Sequence, residues 1–129
     1  MPILTNLLLI STGAATGAVI RWALGLWLAD TLSYLALGTL AANWIGAYII
    51  GIAAALIQYT DLLPPQWRLL LITGFLGSLT TFSGFSLEII NMLQMHRWMA
   101  AFTTISLHLF GSLLLTLLGM LTVTAFFKG

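Results

Sequence analysis

The stretch TGFLGSLTTFSGFS, residues 73–86, decides how this chain is read. It lies in the third of four long apolar segments, yet it holds three glycines, Gly74, Gly77 and Gly84. It also holds six hydroxyl side chains, Thr73, Ser78, Thr80, Thr81, Ser83 and Ser86, with Phe82 and Phe85 among them. The glycines loosen a helix, and the hydroxyls are polar groups of little value against lipid. At membrane depth, non-helical backbone survives only where protein buries it or where it lines a watery cavity. A glycine-interrupted apolar segment is a pointer to an ion or substrate site. This one argues for transport rather than for anchoring.

The rest of the chain agrees. Of its 129 residues, 60% are hydrophobic and 5% charged, and the mean hydropathy is +1.09. Soluble domains carry about a quarter charged residues, so this is an integral membrane protein. A span needs roughly 20 mostly apolar residues. Four segments qualify: 3–28, 37–59, 67–95 and 98–127. The expected fold is all-α, a single four-helix transmembrane domain over residues 1–129 with a broken third helix. The connections at 29–36, 60–66 and 96–97 are short, too small for a soluble catalytic domain. Pro64 and Pro65 stop one helix and start the next. Trp27, Tyr34, Tyr59, Trp67 and Trp98 sit near the proposed ends, as an aromatic belt does.

Composition also excludes. The chain has no cysteine, so disulfide and thiol chemistry are out. Residues 1–9 lack the basic start of a cleavable signal, and the first apolar run outlasts one. Net charge is +1 with four Lys and Arg, which leaves no basic patch for nucleic acid. No nucleophile, base and orienting group stand at matched positions, so an enzyme is the least supported class.

Orientation stays open. Arg68 and Lys128 fall on one side, Arg97 and Arg21 on the other, so the positive-inside rule favours neither side. Such a chain either inserts both ways and pairs antiparallel, or is oriented by one weak charge or by the insertion machinery. Four spans are few to enclose a pathway, which points to oligomerisation. Gly13, Gly17, Arg21 and Gly25 recur every four residues on the first segment, and Thr39, Asn43, Ala47, Gly51 and Ala55 on the second. Small residues at that spacing let helices approach closely.

Five polar or aromatic features are candidates for function. Arg21 lies inside the first span, where a charge costs at least about 2.5–3.5 kcal/mol on insertion scales. It either draws an anion into a vestibule, or snorkels, or pairs with a carboxylate. Glu88 is the only acid well inside a span, a functional-site hypothesis by default, though it also suits a structural acceptor of hydroxyl hydrogen bonds. Thr104, His108, Ser112 and Thr116 recur by four and form one polar stripe, read as a pore lining or as interhelical hydrogen bonds. His108 has no second His or Cys near it, which argues against a metal site on it. The Asn43 amide needs partners; its NH2 could meet an anion while its oxygen is held elsewhere. Phe82 and Phe85 carry positive ring edges. Turned edge-on, they would give an anion weak partners, which suits easy entry and exit.

Taken together these residues resemble the Fluc (CrcB-type) fluoride channel family over nearly the whole chain. The resemblance rests on the glycine-rich start leading to Arg21 and Trp22, on GTLAAN at 38–43, and on Trp67 with Arg68. It rests further on TGFLGSLTTFSGFSLE at 73–88 and HLFGS at 108–112. It implies a dual-topology antiparallel homodimer in a prokaryotic inner membrane, with two pores that export fluoride passively. It implies that Phe82 and Phe85 line the pores with Asn43 beside them, and that His108 and Ser112 line the pathway from the fourth helix. Thr39, Ser83 and Glu88 match a polar track near Phe85, and Arg21 matches a vestibule residue. A structural sodium ion at the dimer centre is implied, held by backbone carbonyls of Gly77 and Thr80 from both subunits. One departure stands out: the family reads TFSTFS where this chain has TFSGFS, so Gly84 replaces a threonine of the track. Thr104 stands where some relatives carry a tyrosine, and it is grouped with the pathway.

Two competing classes remain. A small proton-coupled multidrug exporter of dual topology needs a membrane carboxylate, which here is Glu88 in the third span rather than the first. A non-transporting assembly subunit would explain the glycine packing but not the broken helix.

Overall fold

The computed structural model describes residues 2–30 and 35–128, Lys128 by its backbone only. Residues 31–34, with Tyr34 of the expected aromatic belt, lie outside it. All regular structure among the described residues is helical: α1 (Pro2–Trp27), α2 (Leu37–Tyr59), α3 (residues 65–79), α4 (Phe82–Gln94) and α5 (Trp98–Lys128). Four stretches are long and apolar enough to cross a membrane: Pro2–Trp27, Leu37–Tyr59, Pro65–Gln94 and Trp98–Phe127. The third comprises α3 and α4, so its helix is broken within the span.

The third span starts two residues before the expected Trp67. Pro65 occupies the first helical position, where a proline lacks nothing because its N–H would be unpaired anyway. The amides of Trp67 and Arg68 both reach the Pro64 carbonyl, at 3.0 and 3.2 Å. Arg68 Nε closes the corner on the Leu63 carbonyl at 2.9 Å.

Within α3, an α-helical turn (Pro65–Arg68) opens into a π-helical stretch (Leu69–Leu76) and returns to α at Gly77–Leu79. Thr80 (φ −86°, ψ 153°) and Thr81 (φ −148°, ψ 117°) are extended, and α4 begins at Phe82. The break thus falls inside the glycine- and hydroxyl-rich stretch. The wide turn before it is a second irregularity, of a kind often found at functional sites.

Small residues bring the spans together. A Cβ at Gly13 would overlap the Leu70 carbonyl, one at Gly17 the Phe75 carbonyl, and one at Gly74 the Ile10 carbonyl. α1 therefore packs backbone to backbone on the π-helical stretch. α2 packs along α5 by the same device, with Gly51 against the Thr116 carbonyl and Gly119 against that of Tyr48. The apolar core is correspondingly slight. One cluster joins Ala42, Leu76 and Leu79; another joins Ile89, Met92 and Ala101. Many large apolar side chains face outward, as hydrocarbon surroundings allow.

α4 ends in a Schellman motif. His96, at φ 57°, donates its N–H to the Leu93 carbonyl at 3.1 Å, and Arg97 donates to that of Met92 at 2.8 Å. This satisfies the last carbonyls of α4 and turns the chain into α5 within the two-residue connection the sequence suggests. Trp27, Tyr59, Trp67 and Trp98 are all exposed at helix ends.

Candidate functional site

Breaking a helix frees backbone donors and acceptors that must find partners. At the break they find side chains. The Thr81 N–H donates to Asn43 Oδ1 at 2.8 Å, and Asn43 Nδ2 donates to the Thr81 carbonyl at 3.1 Å. One amide from α2 therefore holds both peptide groups of one residue. Asn43 Nδ2 also lies 3.1 Å from His108 Nδ1 on α5. Thr81 Oγ1 accepts from the Gly84 N–H at 3.0 Å and caps α4. On the other side of the break, Arg21 Nε donates to the Ser78 carbonyl at 3.0 Å. The charge within α1 thus meets a backbone dipole of the broken helix.

Beside the break runs a groove of about 580 Å³. The break supplies Gly77, Thr80 and Thr81; α4 supplies Phe82 and Phe85; α2 supplies Asn43; α5 supplies His108, Ser112 and Thr116. The rings form a connected row. Phe82 and Phe85 have centroids 5.6 Å apart at 55°, and Phe85 and His108 4.5 Å apart at 42°. Phe82 is 79% exposed in the single chain, beside the polar backbone of the break. Gly46 forms part of the wall, and a Cβ there would overlap the Thr80 methyl group.

A second pocket, of about 220 Å³, lies where α1, α2 and α4 meet. Thr39 and Glu88 line it, and Thr39 Oγ1 donates to Glu88 Oε2 at 2.5 Å. Phe85 and Glu88 are one turn apart on α4, so the groove and the pocket lie on consecutive turns of one helix.

The sequence-predicted residues therefore separate. Asn43, Gly77, Thr80, Phe82, Phe85, His108 and Ser112 line the groove, and Thr39 and Glu88 the smaller pocket. Ser83 is exposed, with Oγ 3.2 Å from Thr81 Oγ1. Thr104 is not brought to either. It is 2% exposed, and its hydroxyl donates to Met92 Sδ at 3.6 Å between α4 and α5. The polar stripe on α5 is also partly interhelical, since Thr116 Oγ1 donates to the Ala47 carbonyl at 3.0 Å. For Asn43 the oxygen is held by the Thr81 N–H, while Nδ2 lies 3.1 Å from the Thr81 carbonyl and 3.1 Å from His108 Nδ1. Sequence reasoning gave no site role to Thr81, whose part is played by its peptide groups, or to Trp44. The Trp44 indole N–H donates to the Leu107 carbonyl at 2.9 Å, with its ring against Gly111. A threonine just ahead of the run that resumes after the break, a preferred N-cap residue type, was the available signal for Thr81.

The arrangement is a polar break clamped by side chains, an aromatic row and a groove within one transmembrane bundle. The family model described as CrcB-like protein, Camphor Resistance (CrcB), matches residues 8–120, most of the chain. The chain belongs to the CrcB family. A protein of Albidiferax ferrireducens named fluoride-specific ion channel FluC is 56% identical over 124 residues, covering 96% of this chain and 95% of that protein. One of the same name from Chromohalobacter salexigens is 52% identical over 120 residues, covering 93% and 91%. A third, from Neisseria meningitidis serogroup B, is 53% identical over 117 residues, covering 91% and 93%. These CrcB relatives are named as channels rather than enzymes, and with four apolar spans the chain is a multi-pass membrane protein.

Proposed function

We propose that this chain is a passive, fluoride-selective channel of the bacterial inner membrane, working as an antiparallel dual-topology homodimer with two pores. The observation that carries the proposal is the row Phe82–Phe85–His108 set beside the Asn43-clamped break. Weak positive ring edges and hydroxyls stand along one groove, with Arg21 as the cation nearest the break. Fluoride is small and strongly hydrated, so its shell has to be replaced group by group. Ring edges and hydroxyls replace it without binding so tightly that the ion cannot leave. The groove wall formed by Phe82, Phe85 and Ser112 offers donors and positive edges, which disfavours cations. A second copy laid antiparallel would cover Phe82 and close the groove into a path. The even split of Lys and Arg between the two sides supports insertion in both senses.

The backbone at the break suits a sodium ion between the copies. In a continuous helix the Gly77 carbonyl would receive the Thr81 N–H and the Thr80 carbonyl the Gly84 N–H. Both amides are engaged elsewhere, by Asn43 and by Thr81 Oγ1. The Gly77 and Thr80 carbonyls thus lose the amides a helix would give them, and backbone oxygens are the donor set that hard cations take. When bound, the ion would neutralise converging carbonyl dipoles at the centre of the dimer.

Phe82→Ile and Phe85→Ile remove ring edges while keeping apolar bulk. Each should suppress fluoride flux in liposomes with the dimer intact by size-exclusion chromatography. Unchanged flux in both would remove the ring-edge mechanism. Proton-driven accumulation of a cationic drug, lost in Glu88→Gln and unaccompanied by fluoride release, would replace the channel with an exporter.

A further inference from the structure

Two consecutive residues of the break are held by one face of α2. Asn43 and Gly46 are three residues apart on that helix and share the face. Asn43 takes the Thr81 N–H at 2.8 Å. Gly46 is buried and takes the Thr80 side chain, since a Cβ on Gly46 would overlap the Thr80 methyl carbon. The other branch of Thr80 is anchored as well. Its Oγ1 donates to the Leu76 carbonyl at 2.9 Å, the same oxygen that receives the Thr80 N–H at 3.1 Å. A β-branched side chain is stiff at χ1, so Thr80 cannot turn without losing one of these two contacts. Serine would lack the methyl group and valine the hydroxyl. Glycine is a poor helix former, and the Thr80 methyl supplies the reason for one in the middle of α2.

The Thr80 carbonyl shares its peptide group with the Thr81 N–H. That group is trans and planar, so its C=O and N–H point opposite ways. With the N–H aimed at Asn43, the carbonyl is aimed away from Asn43. A single hydrogen bond leaves such a plane free to roll about it; a second fixed point does not. We propose that Gly46 is a positioning residue: the notch it leaves in α2 seats the Thr80 methyl group and so fixes the direction of the Thr80 carbonyl. Asn43 holds the nitrogen end of the peptide plane, and the seated side chain holds the α-carbon at its other end. An oxygen already held in one direction need not be ordered when a cation arrives, which saves part of the cost of binding. The inference deepens the sodium reading above and rests on it.

The test is the thermal midpoint of the full-length protein in detergent as sodium chloride is raised, with N-methyl-D-glucamine chloride holding the ionic strength constant. An ion that binds only the folded protein raises the midpoint with its concentration, so the wild-type curve reports sodium binding. Gly46→Ala should move that curve to about tenfold higher sodium, the worth of one weakened contact to a charge. A role in packing alone would lower the midpoint equally at every sodium concentration. Thr80→Ser removes the carbon that the new Cβ would meet. The double variant Gly46→Ala/Thr80→Ser should therefore return the curve to within about threefold of wild type. Where Gly46→Ala does not fold, the double variant decides. A Gly46→Ala protein with the wild-type sodium curve overturns the inference alone. So does a double variant that fails to fold or keeps the displaced curve. A wild-type midpoint indifferent to sodium overturns the sodium reading and the inference with it.

Discussion

Asn43 replaces with one side chain what a helix would otherwise supply to Thr81. Its amide mirrors a peptide, giving an oxygen to the Thr81 N–H and a hydrogen to the Thr81 carbonyl. Asn43→Ala should leave both groups without partners at a cost of about 1–3 kcal/mol each. A thermal unfolding midpoint well below wild type in detergent is the expected outcome; an unchanged midpoint would show that the clamp is dispensable. Gly84 belongs at the same scale. A Cβ there would lie 3.0 Å from Thr81 Cγ2 and 3.2 Å from its Oγ1, the atom that caps α4. Gly84→Thr should therefore move the cap by a few tenths of an ångström while adding the hydroxyl that the resemblance implies at this position, and a changed fluoride flux is predicted. Flux and stability both equal to wild type would make Gly84 a neutral replacement. That Asn43 needed partners was legible in the sequence, since an amide in an apolar run cannot go without. Which groups it holds was not legible, because they are backbone atoms on another span.

The break, the π-helical stretch and the close-packed glycines belong to the scale of the element. The break was legible because glycines and hydroxyls cluster at 73–86 within an apolar segment. The π-helical stretch was not. No local pattern marks it, and it forms where α3 lies backbone to backbone on Gly13 and Gly17 of α1. The stripe on α5 was half legible. Four residues exceed one turn, so residues spaced by four drift by about 40° per step. Over Thr104, His108, Ser112 and Thr116 the row winds round the helix, and Thr104 ends between α4 and α5 instead of in the groove. Gly13→Val would place a side chain against the Leu70 carbonyl and push α1 off α3. Little folded protein should survive purification in detergent, and a wild-type yield would contradict this packing. His96 holds a left-handed conformation that a non-glycine residue adopts only at a cost of roughly 1–2 kcal/mol. His96→Gly should raise stability by about 1 kcal/mol. A thermal midpoint unchanged or lowered would place the balance of that turn in the His96 ring, whose centroid is 6.1 Å from that of Trp98.

For the whole molecule, the polar groups converge on one side of a bundle with little core. Asn43, Thr80, Thr81 and Ser112 border a groove whose outer wall is Phe82, 79% exposed. In hydrocarbon such a face is costly unless protein or water covers it, which is the physical argument for a second copy. With Gly77 on that face, a cysteine placed there should form a homodimer cross-link in membranes only if two copies meet at the break. Family membership and the four spans follow from the chain itself; ion, partner and stoichiometry are what the proposed channel adds. The measurement that tests it most directly is fluoride efflux from liposomes holding the purified protein, followed with a fluoride electrode and compared with chloride. Rapid release of fluoride without chloride is the predicted result. Well-folded protein that releases no fluoride, or releases both ions alike, would contradict it.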